Sequence, residues 1–210
     1  MAGHVSDAVI RRLPGYYRHL RELEAMGVQQ ISSQELGKRM NLTPSQIRQD
    51  INCFGGFGRQ GYGYKVTELK GHIGEILGMD QSHRMIILGV GNIGSAVAKY
   101  PTFSREGFET VAAFDVASDK IGMLLHGVKV QPMSELDDYL KENQVDIAVL
   151  SVPAIVAQDT LKRLYDGGVR AVWNFAPTDL THPDDMIVVN VHLSDSLKIL
   201  SYHMAHQHDA

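Results

Sequence analysis

The stretch IILGVGNIGS, residues 86–95, carries Gly89, Gly91 and Gly94 in the spacing Gly-x-Gly-x-x-Gly. It follows an apolar run typical of a buried strand, precedes residues with helical periodicity, and has Asp115 about twenty residues further on. In this context the first glycine permits a tight turn, the second lets a pyrophosphate approach, and the third lets a helix pack closely on the sheet. Asp115 would accept hydrogen bonds from an adenosine ribose and repel a 2′-phosphate. The motif therefore predicts a site for NADH and NAD+, and a glycine-rich turn that only packs is the simpler alternative.

Two later segments should end strands at the same crevice. They are SVPA at 151–154 and NFAP at 174–177, each made of small or apolar residues and a proline. Ligands of open parallel sheets bind outside the carboxyl ends of the strands, so we expect both segments to line the nicotinamide end of the pocket. Ordinary loop composition is the alternative. The residues expected to face the nucleotide are Gly89, Val90, Gly91, Asn92, Ile93, Gly94, Asp115, Ser151, Val152, Pro153, Asn174, Phe175, Ala176 and Pro177.

A second kind of chemistry is suggested by TPSQIRQDINCF, residues 43–54. On a helical wheel, Ile47, Ile51 and Phe54 share one face, and polar side chains point outward. Gln and Asn can pair with adenine and Arg with guanine in the major groove of DNA. A solvated polar face is the plain alternative. The residues predicted to contact DNA from this helix are Ser45, Gln46, Arg48, Gln49 and Asn52. Arg12 and Lys38 are predicted to contact the DNA backbone, and Arg59 the phosphates or the minor groove.

The elements around these residues indicate a winged-helix (helix-turn-helix) domain over residues 1–78. Ser32 with Glu35 forms a capping-box pattern, and Thr43 with Pro44 begins the next helix after a short link. Two short helices joined so tightly are typical of a helix-turn-helix. The glycine-rich stretch 54–66 then predicts a β-hairpin wing.

Residues 79–192 alternate apolar strands with amphipathic helices, which predicts a Rossmann-like, doubly wound parallel sheet. The fold class is therefore α/β. The final segment, 193–210, spaces Leu193, Leu197, Leu200 and Met204 as one apolar stripe of a helix. Because soluble proteins seldom leave such a stripe exposed, we predict a dimerisation helix and a homodimer.

Charge is divided unevenly along the chain. Residues 1–65 hold nine Lys or Arg against five Asp or Glu, whereas the remainder holds eleven against nineteen. A basic first part fits a polyanion partner such as double-stranded DNA, although a solvated basic helix face would give the same count. No apolar run is long enough to cross a membrane, and the single cysteine, Cys53, fits a reducing compartment, so we expect a cytoplasmic protein. The histidines of the tail, His203, His206 and His208, are expected to be solvated, and no metal site is predicted.

The segments RRLPGYYR, SSQELG, IRQDINCFGGFGRQGYGY, LGVGNIG, SVPAIVAQ and NFAP together resemble the bacterial redox-sensing transcriptional repressor Rex. The resemblance covers nearly the whole chain and implies a homodimer that binds operator DNA and releases it when NADH is bound. Genes of fermentation and anaerobic respiration are its implied targets. By position it implies a recognition helix at 44–53, a wing at 56–64 and a pyrophosphate loop at 89–94. Tyr100 matches a family tyrosine near the nicotinamide.

Two positions depart from the family pattern. Gln49 stands where relatives usually carry a second basic residue on the recognition helix, and His192 stands where relatives often have an aspartate entering the last helix. A histidine at that place could change its charge with pH.

Two other functions fit parts of the sequence. An NAD-dependent oxidoreductase would share the glycine motif, but no residues remain for a substrate domain and no Tyr-x-x-x-Lys pair lies on a helix. A winged-helix regulator that senses coenzyme A or another nucleotide would share both domains, and Asp115 argues against it. We therefore predict a redox-sensing repressor that reads NADH without consuming it and is not an enzyme.

Overall fold

The computed structural model describes residues 5–55 and 63–206. The chain divides into two compact units, residues 1–81 and 82–210, so the observed boundary lies three residues beyond the predicted one at 78. Each unit has its own core. The α/β class and the two kinds of domain are as the sequence predicts.

The first unit is mainly helical. Its elements are α1 Asp7–Ala25, β1 Gln30–Ile31, α2 Ser33–Met40, α3 Pro44–Asn52, β2 Tyr64–Lys65 and α4 Val66–Ile76. The capping box is confirmed, because the Ser32 hydroxyl accepts from the Glu35 N–H and the Glu35 carboxylate accepts from the Ser32 N–H. Thr43 caps α3 by accepting from the Gln46 N–H at 3.2 Å.

The core of this unit lies between the helices, with Tyr16, Leu20, Leu36 and Ile47 completely buried. Strand β2 pairs antiparallel with β1, so that Ile31 faces Tyr64. The predicted wing falls mostly on residues outside the described part of the chain.

The second unit is a seven-stranded sheet in the order β5-β6-β4-β3-β7-β8-β9, parallel except for the β5–β6 hairpin. The strand order reverses at β3, from which the chain proceeds to one side through β4 and later to the other through β7. Such a reversal is where doubly wound sheets bind ligands. The strands are β3 His83–Leu88, β4 Phe108–Asp115, β5 Leu124–Leu125, β6 Val128–Pro132, β7 Ile147–Leu150, β8 Ala171–Asn174 and β9 Ile187–Asn190.

Helices cover both faces of the sheet, which explains the continuous apolar strands. Ile86 and Leu88 of β3 belong to one hydrophobic cluster, which includes side chains of the helices at 136–142 and 154–166. Met85 and Ile87 belong to another cluster, which includes side chains of the helix at 92–98. Ser134 lies in a 3₁₀ turn, Met133–Glu135, before the following α-helix. The helices are α5 Asn92–Ala98, α6 Pro101–Arg105, α7 Leu136–Glu142, α8 Ala154–Asp166 and α9 Leu193–Ala205.

Helix α9 buries none of its side chains among the described residues. Leu193, Leu197, Leu200 and Met204 are each more than half exposed. Just before the helix, the His192 Nε2 atom lies 3.1 Å from the Asp179 Oδ1 atom. In the part of the chain that is described, no helix is both long enough and apolar enough to cross a bilayer.

Candidate functional sites

A cavity of about 790 Å³ opens where β3, β4, β7 and β8 end. It lies at the predicted crevice, and its walls combine polar groups of the glycine turn with apolar side chains of the later loops. The predicted residues that line it are Gly89, Gly91, Ile93, Asp115, Ser151, Val152, Pro153, Phe175 and Pro177. These residues lie at or just after the ends of four strands, and the parallel topology brings them together.

The three glycines of the motif have different surroundings. Gly89 has a φ of +86°, and a Cβ there would lie 2.4 Å from the Ser151 carbonyl oxygen. A Cβ on Gly94 would lie 2.0 Å from the Gly89 oxygen, whereas one on Gly91 would meet no atom within 4 Å. The tight turn at Gly89 and the close packing at Gly94 are therefore confirmed, and Gly91 faces open space in the cavity wall.

Asp115 ends β4 and is only 7% exposed. Its carboxylate accepts hydrogen bonds from the backbone N–H of Val90 at 2.6 Å and of Ala117 at 2.8 Å, and the Lys120 Nζ atom lies 3.5 Å away. Burial raises the pKa of this carboxyl, but the two backbone donors and Lys120 outweigh burial and hold the pKa below its ordinary value. The carboxylate therefore fixes the glycine turn, a role that the sequence did not reveal, and its contact with a ribose stays a prediction.

Some predicted nucleotide contacts do not face the cavity. Asn174 is fully buried, its amide donating to the Thr178 oxygen and the Asn190 Oδ1 atom while its own oxygen accepts from the Ala176 N–H. Asn174 and Ala176 thus shape the loop after β8, because a buried amide must satisfy its hydrogen bonds. Val90 is buried beside Asp115, and Asn92 is exposed without lining the cavity.

Tyr100 is also outside the cavity. It is 55% exposed and lines a separate depression of about 410 Å³ with Phe103 and His126. Its ring lies 4.8 Å from that of Phe103, and the ring contacts continue through Trp173 to Phe175 in the cavity wall. A row of ring contacts thus runs from Tyr100 to the expected nicotinamide end of the cavity.

Sequence reasoning missed the residues that complete the cavity. Four of them, Val156, Asp159, Thr160 and Arg163, lie on one face of α8. Their spacing of three, one and three residues is helical, but it gives no sign that this face turns toward the glycine motif. Phe114, Val116, Ala117, Lys120 and Met133 complete the wall.

The outer face of α3 is open. Ser45, Arg48, Gln49 and Asn52 are exposed, as is Lys38 on α2. One N–H group of Arg48 donates to the Ser33 hydroxyl at 3.0 Å, which links the two helices of the helix-turn-helix. Arg59 falls outside the described residues.

Arg12, which was predicted to contact the DNA backbone, is paired within its own unit, and a contact with DNA stays a prediction. Its Nε and Nη2 atoms donate to the two carboxylate oxygens of Asp50 at 2.7 and 2.8 Å. Asp50 is 1% exposed and also accepts from the Tyr16 hydroxyl and the Gln46 amide. Because a buried carboxylate requires donors, these groups stabilise Asp50 within the unit. Asp50 was missed, although its place beside Ile47 and Ile51 on the inner face of the helical wheel marks it as buried.

Groups of three or more His, Cys, Asp or Glu side chains that could hold a metal ion are absent from the described part of the chain.

A helix-turn-helix unit joined to a Rossmann unit with an open cavity at its strand ends is typical of a DNA-binding regulator that responds to a nucleotide. Two family models match the corresponding segments: "Putative DNA-binding protein N-terminus" at residues 4–52 and "CoA binding domain" at residues 80–178.

Full-length relatives define the family. The redox-sensing transcriptional repressor Rex of Caldicellulosiruptor saccharolyticus is 48% identical over 95% of this chain and 91% of its own. The Rex protein of Clostridium perfringens is 46% identical over 96% of this chain and 95% of its own. Among solved structures, the Rex-family repressor RSP in complex with NAD+ and operator DNA aligns with a TM-score of 0.91 at 47% identity, covering 97% of this chain and 94% of RSP. RSP in complex with NADH aligns with a TM-score of 0.91 at 45% identity, covering 97% of this chain and 96% of RSP.

The chain belongs to the Rex family of redox-sensing transcriptional repressors. The members of this family are regulators and not oxidoreductases, so the dehydrogenase alternative is excluded by the relatives.

Proposed function

We propose that this chain binds operator DNA through the outer face of α3 and releases it when NADH enters the cavity beside Gly91, without hydride transfer. The observation that carries the proposal is the open position at Gly91 in an otherwise close-packed turn, at the wall of a cavity that ends in apolar side chains. The relative RSP has been solved with NAD+ and operator DNA and with NADH, which supports both ligands. We expect such a repressor to act in the cytoplasm.

Discrimination between the two redox states must arise at the nicotinamide, because NADH and NAD+ share their phosphates and riboses. The oxidised ring is cationic, and Pro153, Phe175 and Pro177 would surround it with apolar groups. Transferring a cation into such surroundings is costly without a paired anion. NADH is therefore expected to bind more tightly than NAD+.

Gly91→Val tests the nucleotide site. A Cβ here would meet no atom within 4 Å, so the fold should persist while the valine side chain occupies the place of the pyrophosphate. We expect calorimetric NADH binding to disappear and operator binding to persist without a response to NADH. Gly71→Val in α4, another open glycine position, is the matched control and should keep NADH binding. Normal NADH affinity in Gly91→Val would contradict this placement of the nucleotide.

The switch itself can be measured by fluorescence anisotropy on an operator enriched from random duplexes. To change the ratio of DNA-binding to non-binding conformations from 99:1 to 1:99, NADH must prefer the non-binding conformation by about 10⁴-fold. Two nucleotide sites of a dimer could supply this at roughly 100-fold each. Operator affinity should fall cooperatively as NADH is added, and NAD+ should act as a weak competitor. Coenzyme A serves as the control nucleotide because of the family model that matches residues 80–178. Equal effects of NADH and NAD+ would rule out redox sensing.

Helix α9 is proposed to form the homodimer through its exposed stripe. A two-fold pair of recognition helices would also suit a palindromic operator. Leu197→Glu should place a charge in the interface and yield monomers by light scattering. Lys198→Glu, at an exposed position of the same helix that lies off the stripe, is the comparison variant and should remain dimeric. A stable dimer in Leu197→Glu would assign dimerisation to another surface.

A further inference from the structure

Asp50 is surrounded by donors from two helices. Its Oδ2 atom accepts from Arg12 Nε at 2.7 Å and from the Tyr16 hydroxyl at 2.9 Å. Its Oδ1 atom accepts from Arg12 Nη2 and from Gln46 Nε2, each at 2.8 Å. Arg12 and Tyr16 are one turn apart on α1, whereas Asp50 and Gln46 are one turn apart on α3. The buried carboxylate therefore fixes α3 against α1 and holds the Gln46 side chain at the same time.

The contact with Asp50 determines which way the Gln46 amide faces. An ionised carboxylate can only accept hydrogen bonds, so the amide nitrogen of Gln46, and not its oxygen, must face Asp50. This leaves the amide oxygen and one N–H group for another partner. An adenine presents an N6 donor and an N7 acceptor in the major groove, which are the complements of these two groups.

We infer that Asp50 is a positioning residue for base recognition, which holds the Gln46 amide in the orientation that reads an A·T pair. This inference rests on the proposed binding of DNA by α3. Asp50 does not touch DNA itself, since it is buried. Its effect on the DNA sequence preference is carried by Gln46, and its effect on stability is carried by Arg12 and Tyr16.

The test compares DNA sequence preference among variants of the full chain. The wild-type chain first enriches a sequence from a pool of random duplexes, and every base pair of that sequence is then varied in anisotropy titrations. Asp50→Asn should lose discrimination at one A·T pair of each half-site by roughly 5- to 150-fold, the range of a good base contact. Gln46→Ala should lose discrimination at the same pair, and the double variant should lose no more than Gln46→Ala alone.

Two control variants separate positioning from stability. Arg12→Lys keeps the positive charge but loses the two-point contact with Asp50. It should therefore lower the thermal midpoint of unfolding and leave the DNA sequence preference at that A·T pair unchanged. Asp7→Asn removes the exposed pair of Arg11 and Asp7 on α1, whose Nε–Oδ2 distance is also 2.7 Å, and should change neither the thermal midpoint nor the preference at that A·T pair. A loss of preference at every position in Asp50→Asn would indicate general loosening of α3 and overturn the inference.

A second measurement uses the wild-type chain and covers the case in which Asp50→Asn does not fold. The side-chain amide signals of Gln46, assigned by their absence in Gln46→Ala, should include one proton that exchanges more slowly than those of exposed Gln34. Equal exchange at the two glutamines would overturn the inference. If the wild-type chain enriches no sequence, the proposed function and this inference fail together. If it does, and Asp50→Asn keeps the same preference at every pair, only the inference fails.

Discussion

Each unit of this protein contains a buried aspartate next to its proposed site, and the two are stabilised by different partners. Asp50 in the helical unit is held by side chains of Arg12, Tyr16 and Gln46. Asp115 in the sheet unit is held by the backbone N–H groups of Val90 and Ala117, with Lys120 nearby. The backbone donors follow from how the strands end, whereas the side-chain donors depend on how two helices pack. We therefore expect the effect on the free energy of unfolding to vary more among substitutions around Asp50 than among substitutions around Asp115.

The largest effect is expected from Asp50→Ala. It leaves the Arg12 guanidinium and the Tyr16 hydroxyl without their partner, and removal of one member of a buried pair costs about 3 kcal/mol or more. Denaturant unfolding followed by a helical signal should show this loss, while NADH binding by the sheet unit is kept. A loss of less than about 1 kcal/mol in the free energy of unfolding would mean that the contacts of Asp50 stabilise the unit no more than a surface ion pair does.

A smaller effect is expected from Asp115→Asn. An asparagine has one oxygen in place of the two carboxylate oxygens, so one of the two backbone N–H groups loses its acceptor, at a cost of about 2 kcal/mol. Because Val90 lies within the glycine turn, NADH affinity should fall while operator binding without NADH is unchanged. Calorimetry and anisotropy on the same preparation measure the two effects. Unchanged NADH affinity would remove the proposed coupling between Asp115 and the turn.

Dependence on pH should distinguish the two clusters. The pKa of both carboxyls lies below the ordinary 3.8, so each contributes stability that is complete above that pH and is lost as the pH falls toward the folded-state value. Burial and the hydrogen bond to Asp50 raise the pKa of Tyr16 above its ordinary 10.0, so its contribution is lost as the pH rises through 10. The helical unit should therefore lose at most about 1.4 kcal/mol per pH unit on the alkaline side from this group. Tyr16→Phe should remove that dependence, and an unchanged alkaline slope in the variant would contradict it.

The smallest effect is expected from Lys120→Gln. Its side chain is 32% exposed and lies 3.5 Å from the Asp115 carboxylate, so the ion pair contributes roughly 0.5 kcal/mol or less. Without this positive charge, repulsion of a 2′-phosphate by Asp115 should increase. The ratio of NADH to NADPH affinity should rise roughly two- to five-fold, the equivalent of a weak ion pair. A fall in that ratio would show that Lys120 does not face the ribose.

The sequence by itself determined the two-domain α/β class, the capping box at Ser32, the turn at Gly89 and the packing of Gly94, because each depends on neighbouring residues or on a strand end that local patterns mark. It also placed Asp115 at the crevice where the cavity lies, but without its backbone partners. Only the tertiary structure decided that Arg12 pairs with Asp50, that one face of α8 completes the cavity, and that Tyr100 lies on a separate surface. Those contacts join segments distant in the chain through side chains whose directions are set by packing angles. Periodicity predicts which face of a helix is buried, but it carries no information about which neighbour that face will meet.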